Sequence, residues 1–452
     1  MLKSHYQLVF WGKCPWSLLH ALLWRKKGRD VLVIDDPRLA TRASFGPTLS
    51  ALELSCIADL GQRFGVELLS DLAPFLRVTA LRVHTEKLHW STGQSVRDNL
   101  RELLRKIPRF QTPTLLAALE SSALEEDYRL AVSQYLEWFR SEGVRRSRTA
   151  PYRLSKVAWL RELQELAEAE LQEGATGTTS TPLKELVTAL YAVLGQVVKY
   201  GVGSEESAAL ILRLLSPTYR LDQRWFEREI LRELQAQGGH FKHTSVQSWQ
   251  DWQGKLDALL LDSYEGVLTF ERLLVYGDPP PTAELQLHFA EKVYRAVCFE
   301  FTLDDEGEGS AQHVPHELLA HTGQTMLGTD MPVVLFERTG TRVQARVLVL
   351  ERPAAKVEFY VAETRELVLA ILNERGPWSA RTLGEVRPDA SWDLWVEENS
   401  LRPLPRLHQR RPIHLARPLE GRPLDGAAHW GQLIGQRFGA TGYLTELLWD
   451  LS

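Results

Sequence analysis

A chain of 452 residues is long enough for two or three domains with cores of their own. At 44% hydrophobic and 25% charged residues it has an ordinary globular composition, which argues against disorder. A net charge of −5 gives no general pull toward nucleic acid, and no run of about 18 uninterrupted apolar residues marks a membrane span.

Three cysteines, Cys14, Cys56 and Cys298, show neither paired nor metal-ligating spacing and suit a reducing compartment, so a cytoplasmic location is expected. The N-terminus runs straight into an apolar strand pattern and lacks the shape of a signal peptide. Fourteen tryptophans are read as core and edge packing.

The first informative stretch is Tyr6 to Asp36, YQLVFWGKCPWSLLHALLWRKKGRDVLVIDD. Leu8 to Trp11 reads as a buried strand, Gly12 as a tight turn, Ser17 to Lys27 as a helix ended by Gly28, and Val31 to Ile34 as a second buried strand. This strand–turn–helix–strand order is the mononucleotide half of a doubly wound fold. An acid about 20 residues beyond the turn is the expected partner of a ribose hydroxyl, and Asp35 stands there. The phosphate-binding turn asks for three glycines. This chain has Gly12, Cys14 and Ser17 in those places, so only the turn-forming glycine is kept. Cys14 puts a side chain where backbone should meet pyrophosphate, which costs space and amide hydrogen bonds. Lys13 could bring a charge to phosphate or simply be solvated. Cys14, at a helix start, is either a reactive thiol or a small filler of the turn.

Pro37, Gly46 and Pro47 mark a loop that carries Arg38 and Arg42, read as anion contacts or as solvated cations. Thr48 to Phe64 is helical. Leu76 to Val83 and Leu88 to Trp90 read as a strand pair. Helices are expected over Ser95–Lys106, Thr114–Glu120, Glu125–Gly143 and Leu154–Glu173, and Gly174 to Pro182 is a polar linker. Thr181 caps the next helix with Pro182 at its first position, and that helix runs to Tyr200. Further helices are expected near Glu205–Leu215 and Leu221–Ala236.

Beyond Gly238–Gly239 the pattern becomes strand-like: His240–Trp249, Leu256–Leu261, Val267–Phe270 and Leu273–Tyr276. Alternating runs within Glu284–Leu303 and Met331–Tyr360 predict an antiparallel sheet. Leu367 to Asn373 reads as a short helix. The chain closes with a strand at His414–Arg417 and a helix from about Leu433 to Leu448.

Three segments together resemble the flavin-dependent amine oxidase, phytoene desaturase and protoporphyrinogen oxidase superfamily, whose fold Rab GDP-dissociation inhibitors share. They are Gly12 to Asp35, with its turn glycine, helix-ending Gly28 and acid; Gly238–Gly239 followed by a strand with Val246; and the closing His414 to Leu448. The resemblance implies an α/β fold: a Rossmann-like FAD/NAD(P)-binding doubly wound domain with an inserted helical cap and an antiparallel-sheet substrate domain. Residues 1–96, 233–283 and 405–452 would form the dinucleotide-binding part, 97–232 the cap, and 284–404 the substrate part. It implies FAD as cofactor, with Gly12, Lys13, Cys14, Ser17, Asp35, Arg42 and Val246 around it; a valine at Val246 would meet adenine through its backbone. The implied activity is flavin-dependent oxidation of an amine or an apolar lipid.

The chain departs from the family at each cofactor contact. Besides the lost glycines, ATRASFG replaces the paired glycines expected after the acid. Arg417 and Pro418 stand where the family has a Gly–Asp pair that holds the flavin. Three readings remain: a flavin oxidoreductase; a pseudoenzyme that binds a protein or lipid between its domains; and an accessory protein in which the cleft is only structural. No residue stands out as a catalytic acid or base. No metal site is expected: in HVPHELLAH, His313 to His321, the last two histidines are five apart where a helical zinc motif needs four. Arg402 to Arg417 is the strongest basic run and reads as a surface loop.

Overall fold

A computed structural model of the chain describes residues 3–13, 15–37, 48–85, 88–138, 152–176, 181–193, 207–251, 256–262, 266–275, 291–302, 317–322, 333–339, 342–350, 365–366, 368–370, 387–396 and 413–415. The expected positions Cys14, Arg38, Arg42, Arg417 and the closing helix near Leu433 lie outside these residues, as do His313 and His316.

Strand β1 (His5–Trp11), helix α1 (Pro15–Lys26) and strand β2 (Val31–Asp35) form the expected crossover. The two strands are parallel neighbours, in register from Leu8↔Val31 to Trp11↔Ile34. Both turns depend on glycine: Gly12 at φ 110° and Gly28 at φ 81° occupy a region that a side chain disfavours. A two-residue strand β3 (Thr48–Leu49) precedes helices α2 (Ala51–Phe64) and α3 (Glu67–Ser70). The expected strand over Leu76 to Val83 is two strands, β4 (Leu76–Val78) and β5 (Ala80–His84), which enter different sheets. Strand β6 (His89–Ser91) pairs back on β5 as a hairpin.

Among the described residues six α-helices follow: α4 (Val96–Lys106), α5 (Pro113–Glu120), α6 (Leu124–Trp138), α7 (Ala158–Thr176), α8 (Pro182–Val193) and α9 (Ser207–Leu215). Side chains satisfy the open N–H groups at several starts. Ser95 Oγ accepts from Asp98 N at 3.1 Å, Thr112 Oγ1 from Leu115 N at 3.3 Å, and Thr181 Oγ1 from Lys184 N at 3.3 Å. Strand β7 (Tyr219–Leu221) joins β3 and β4 in a small antiparallel sheet. Helix α10 (Gln223–Ala236), capped by Asp222, packs against α1 and leads through Gly238–Gly239 into strand β8 (His240–His243).

The expected strand His240–Trp249 is also two elements. Strand β8 ends beside Asp35, and Thr244 N donates to the Asp35 carbonyl at 3.2 Å. After that step strand β9 (Val246–Asp251) departs to pair antiparallel with β10 (Leu256–Leu261). Strands expected separately at Val267–Phe270 and Leu273–Tyr276 are one, β11 (Val267–Val275). Its first residues pair antiparallel with β10 and its longer part parallel with β1, so one strand serves antiparallel and parallel ladders.

The second sheet uses β12 (Glu291–Thr302), β13 (Glu317–Thr322), β14 (Val333–Thr339), β15 (Arg342–Leu350) and β16 (Arg387–Val396), in the order β16-β12-β15-β14-β13-β5-β6. It is antiparallel, as expected, except where β13 meets β5. Residues 80–84 and 89–91, grouped by the sequence reading with the first domain, thus supply two strands of this sheet. The segment compared with a helical zinc motif holds strand β13. Strand β17 (Ile413–Leu415) returns to lie parallel beside β11.

The parallel strands of the first sheet therefore run β8-β2-β1-β11-β17. This is a doubly wound α/β arrangement, in which the order reverses between β1 and β11. Both faces are covered. Leu8, Phe10, Val31 and Val33 share a core with Leu18, Leu19, Leu22 and Leu23 of α1 and with the helical region. Val9, Trp11, Leu32 and Ile34 pack with Val246, Leu259, Leu261 and Leu268 on the other side. Two-sided burial is why these strands read as continuous apolar runs.

Candidate functional site

In open parallel sheets ligands bind outside the carboxyl ends of the strands, where the strand order reverses. Here that place is the rim formed by the ends of β1, β2, β8 and β11 together with the start of β9. Gly12, Asp35 and Val246, singled out in the sequence, all lie on this rim. Lys13 pairs with helix α10: its Nζ lies 3.6 Å from Glu227 Oε2. Ser17 is fully buried in the first turn of α1, where its small side chain lets the helix approach the sheet. Gly12 N donates to the Ile34 carbonyl at 2.9 Å, so this turn amide is spent on the strand pair.

Asp35, at the end of β2, pairs with a neighbour on the next strand. Its Oδ2 lies 3.0 Å from His243 Nδ1, and the two residues are register partners. The Asp35 side chain keeps 26% of its exposure. The next residue behaves differently. Asp36 is 1% exposed, and its Oδ2 accepts from Trp11 Nε1 at 3.0 Å and from Val246 N at 3.0 Å. One carboxylate oxygen thus ties the end of β1 to the start of β9. A buried carboxylate persists only with such donors.

Trp11, Asp36, His243 and Glu227 were missed as site residues. Asp36 had a signal in the sequence. Side chains alternate along a strand, so Asp36 is in phase with Leu32 and Ile34, the residues turned toward β9 and β10. An acid at the end of such a buried row requires hydrogen-bond donors. Trp11, in phase with Val9, is the matching donor on β1.

FAD can be tested against this arrangement. The resemblance asks Val246 to meet adenine through its backbone, but its N–H is already given to Asp36. Indole of Trp11 packs in the same apolar cluster and donates to the same oxygen. The Lys13 charge is matched by Glu227. Each described group that the resemblance assigns to the adenosine end thus has a protein partner: Val246 N has Asp36, Lys13 has Glu227 and Asp35 has His243. Among the described residues, no group of three or more His, Cys, Asp or Glu side chains is arranged to hold a metal ion, and no helix is long and apolar enough to cross a membrane.

No family model and no curated protein matches this sequence. Among solved structures, the chain is similar to a Rab GDP-dissociation inhibitor from Plasmodium falciparum, at 11% identity and TM-score 0.48, over 99% of each chain. It is similar to a peptidyl tryptophan dihydroxylase needed for tryptophylquinone biogenesis, at 11% identity and TM-score 0.45, over 99% of this chain and 72% of that one. A tryptophan 6-halogenase from Streptomyces toxytricini is 12% identical, with TM-score 0.45, over 98% of this chain and 76% of that one. The strand order and register described above, rather than these likenesses, define the fold as a doubly wound α/β arrangement.

Proposed function

We propose that this chain keeps a flavoprotein fold as a scaffold without holding a flavin dinucleotide in the usual way, and acts by binding a protein or lipid partner between its two larger sheets. The observation that carries this reading is the Asp36 carboxylate, which engages the Val246 amide and the Trp11 indole together. A ligand using that amide would have to strip a buried carboxylate of a donor, and each lost charge-assisted bond costs about 1.5–3 kcal/mol.

The competing reading, a working flavin oxidoreductase, is favoured by the Gly12 turn and by the partly exposed Asp35 at the end of β2. The two separate on purification. The binding-scaffold reading expects a colourless protein that shows no flavin absorbance bands and gains no thermal stability from added FAD. A yellow preparation, or a melting temperature that rises with FAD concentration as ligand linkage requires, would overturn it. Extraction of the colourless protein with organic solvent, followed by mass spectrometry, then tells a lipid occupant from a protein partner.

A further inference from the structure

Helix α10 buries one side and leaves the other to solvent. Phe226, Ile230 and Leu234 are fully buried in the larger core, and the helix packs against α1. At about 100° per residue, Arg224, Trp225, Arg228 and Arg232 fall in one sector about 100° wide on the opposite side. All four are exposed. The Arg228 and Arg232 side chains keep 72% and 77% of their exposure. Arg77 on β4, also exposed, brings a fourth guanidinium to the N-terminal end of the helix, with its Nη2 3.7 Å from Asp222 Oδ2.

The arginines outnumber the acids beside them. Glu229 serves both Arg228 and Arg232: its Oε1 lies 3.8 Å from Arg228 Nε, and its Oε2 meets Arg232 Nη2. Asp222 is shared between Arg77 and the helix cap, where its Oδ1 accepts from Trp225 N at 3.2 Å. Arg224 has no carboxylate partner among the described residues. Like charges four residues apart on one helix repel, so an anion laid along the row relieves that repulsion. The composition of the row says which anion. A guanidinium fork matches a carboxylate through two parallel hydrogen bonds. Arg and Trp concentrate binding at protein interfaces, where Lys is depleted, and this sector holds no Lys. Trp225 is the one aromatic among the large apolar side chains exposed on the described residues. Its ring packs edge to face on buried Phe75, with centroids 5.1 Å apart, so it loses little freedom when a partner covers it. Nucleic acid fits less well, because the chain carries a net charge of −5. Anionic bilayers are held by clusters of about four to eight Lys or Arg, and here two acids dilute a cluster of four.

We propose that the outer face of α10, with Arg224, Trp225, Arg228 and Arg232 along it and Arg77 at its end, docks an acidic segment of a partner protein. Carboxylates one turn apart on a helix match the arginine row, whose members are about 6 Å apart. The surface uses none of Trp11, Asp36 and Val246, so it stands or falls independently of the flavin reading.

The test uses the full chain and a fluorescently labelled helical peptide with Glu at every fourth position, followed by anisotropy. The peptide is expected to bind, more weakly as salt rises, while its Lys counterpart does not bind. A triple variant, Arg224→Glu with Arg228→Glu and Arg232→Glu, is expected to weaken binding about tenfold or more. Trp225→Ala is expected to weaken it about fivefold or more, a loss that charge attraction alone does not produce. Arg101→Glu, at an exposed arginine of α4, is expected to bind as the wild type does. Circular dichroism checks that each variant is folded. Absence of binding by the Glu peptide, or wild-type affinity in the triple variant or in Trp225→Ala, would overturn the proposal. Vesicles of equal parts phosphatidylserine and phosphatidylcholine are expected to leave the chain in solution on sedimentation. Co-sedimentation that the triple variant loses would assign the face to a membrane and overturn the proposal as well.

Discussion

Asp36→Ala is the most direct perturbation of the site. It removes the oxygen that accepts from Trp11 Nε1 and Val246 N, each at 3.0 Å, and leaves both donors buried. An unsatisfied buried donor costs about 1–3 kcal/mol, so two cost about 2–6 kcal/mol. Loss of the carboxylate also relieves its own desolvation, and water can enter the space vacated by the shortened side chain. Both offsets place the expected loss at the low end, about 2–3 kcal/mol. Asp36→Asn keeps an oxygen that can face both donors but gives up the charge, and is expected to cost about 1 kcal/mol. Urea unfolding followed by tryptophan fluorescence and circular dichroism measures both losses, with the midpoint as readout and an unchanged slope as the check. A double-mutant cycle with Trp11→Phe isolates the indole contribution, with an expected coupling of about 1 kcal/mol. If Asp36→Ala is as stable as the wild type to within about 0.5 kcal/mol, the carboxylate does not join β1 to β9 and the case against adenine at Val246 fails.

Three further outcomes follow from the same coordinates. Gln164 is fully buried: its side chain accepts from Leu154 N at 2.8 Å and donates to the Tyr152 carbonyl at 2.9 Å and to Ser207 Oγ at 2.8 Å. Gln164→Leu should therefore cost about 2–4 kcal/mol in urea unfolding and loosen the segment before α7, seen as faster amide exchange around Leu154. Trp90 is the reverse case: its buried indole N–H has no hydrogen-bond partner among the described residues. Trp90→Phe removes that unpaired donor while it leaves a small void, so the unfolding midpoint should shift by less than about 1 kcal/mol; a loss above about 3 kcal/mol would show that the N–H has a partner. Burial, then the nearby Lys3 charge, holds His240 below its usual value of 6.5, and its ring pairs with the Tyr6 hydroxyl. The folded chain favours neutral His240, so the unfolded chain takes up the proton first as pH falls. Stability should be full above about pH 6.5, decline as pH drops through the window between the unfolded and folded values, and level off below it. Thermal melts of the wild type and His240→Gln across that range check this; equal slopes in the two proteins would refute it.

Much of the architecture was legible because it rests on local, repeating requirements. Leu8 to Trp11 and Val31 to Ile34 read as buried strands because a parallel strand covered on both faces has no polar row. Gly12 and Gly28 marked the turns because their backbone angles exclude a side chain at little cost. Thr181 followed by Pro182 marked a helix start because only certain side chains satisfy the first open amides. The tertiary structure decided what pairs with what. No local pattern in Leu76 to His84 says that its first three residues and its last five join different sheets, since both pieces have the same alternation. Nor does Val267 to Val275 announce that it serves an antiparallel ladder at one end and a parallel one at the other. The site divides along the same line. The sequence alone shows that Cys14 and Ser17 replace two turn glycines. That Asp36 accepts from residues 25 positions before it and 210 after it depends on long-range packing, as does the pairing of Arg77 with Asp222. Such hydrogen bonds and ion pairs are made between elements that only the folded chain brings side by side, so spacing along the chain does not encode them.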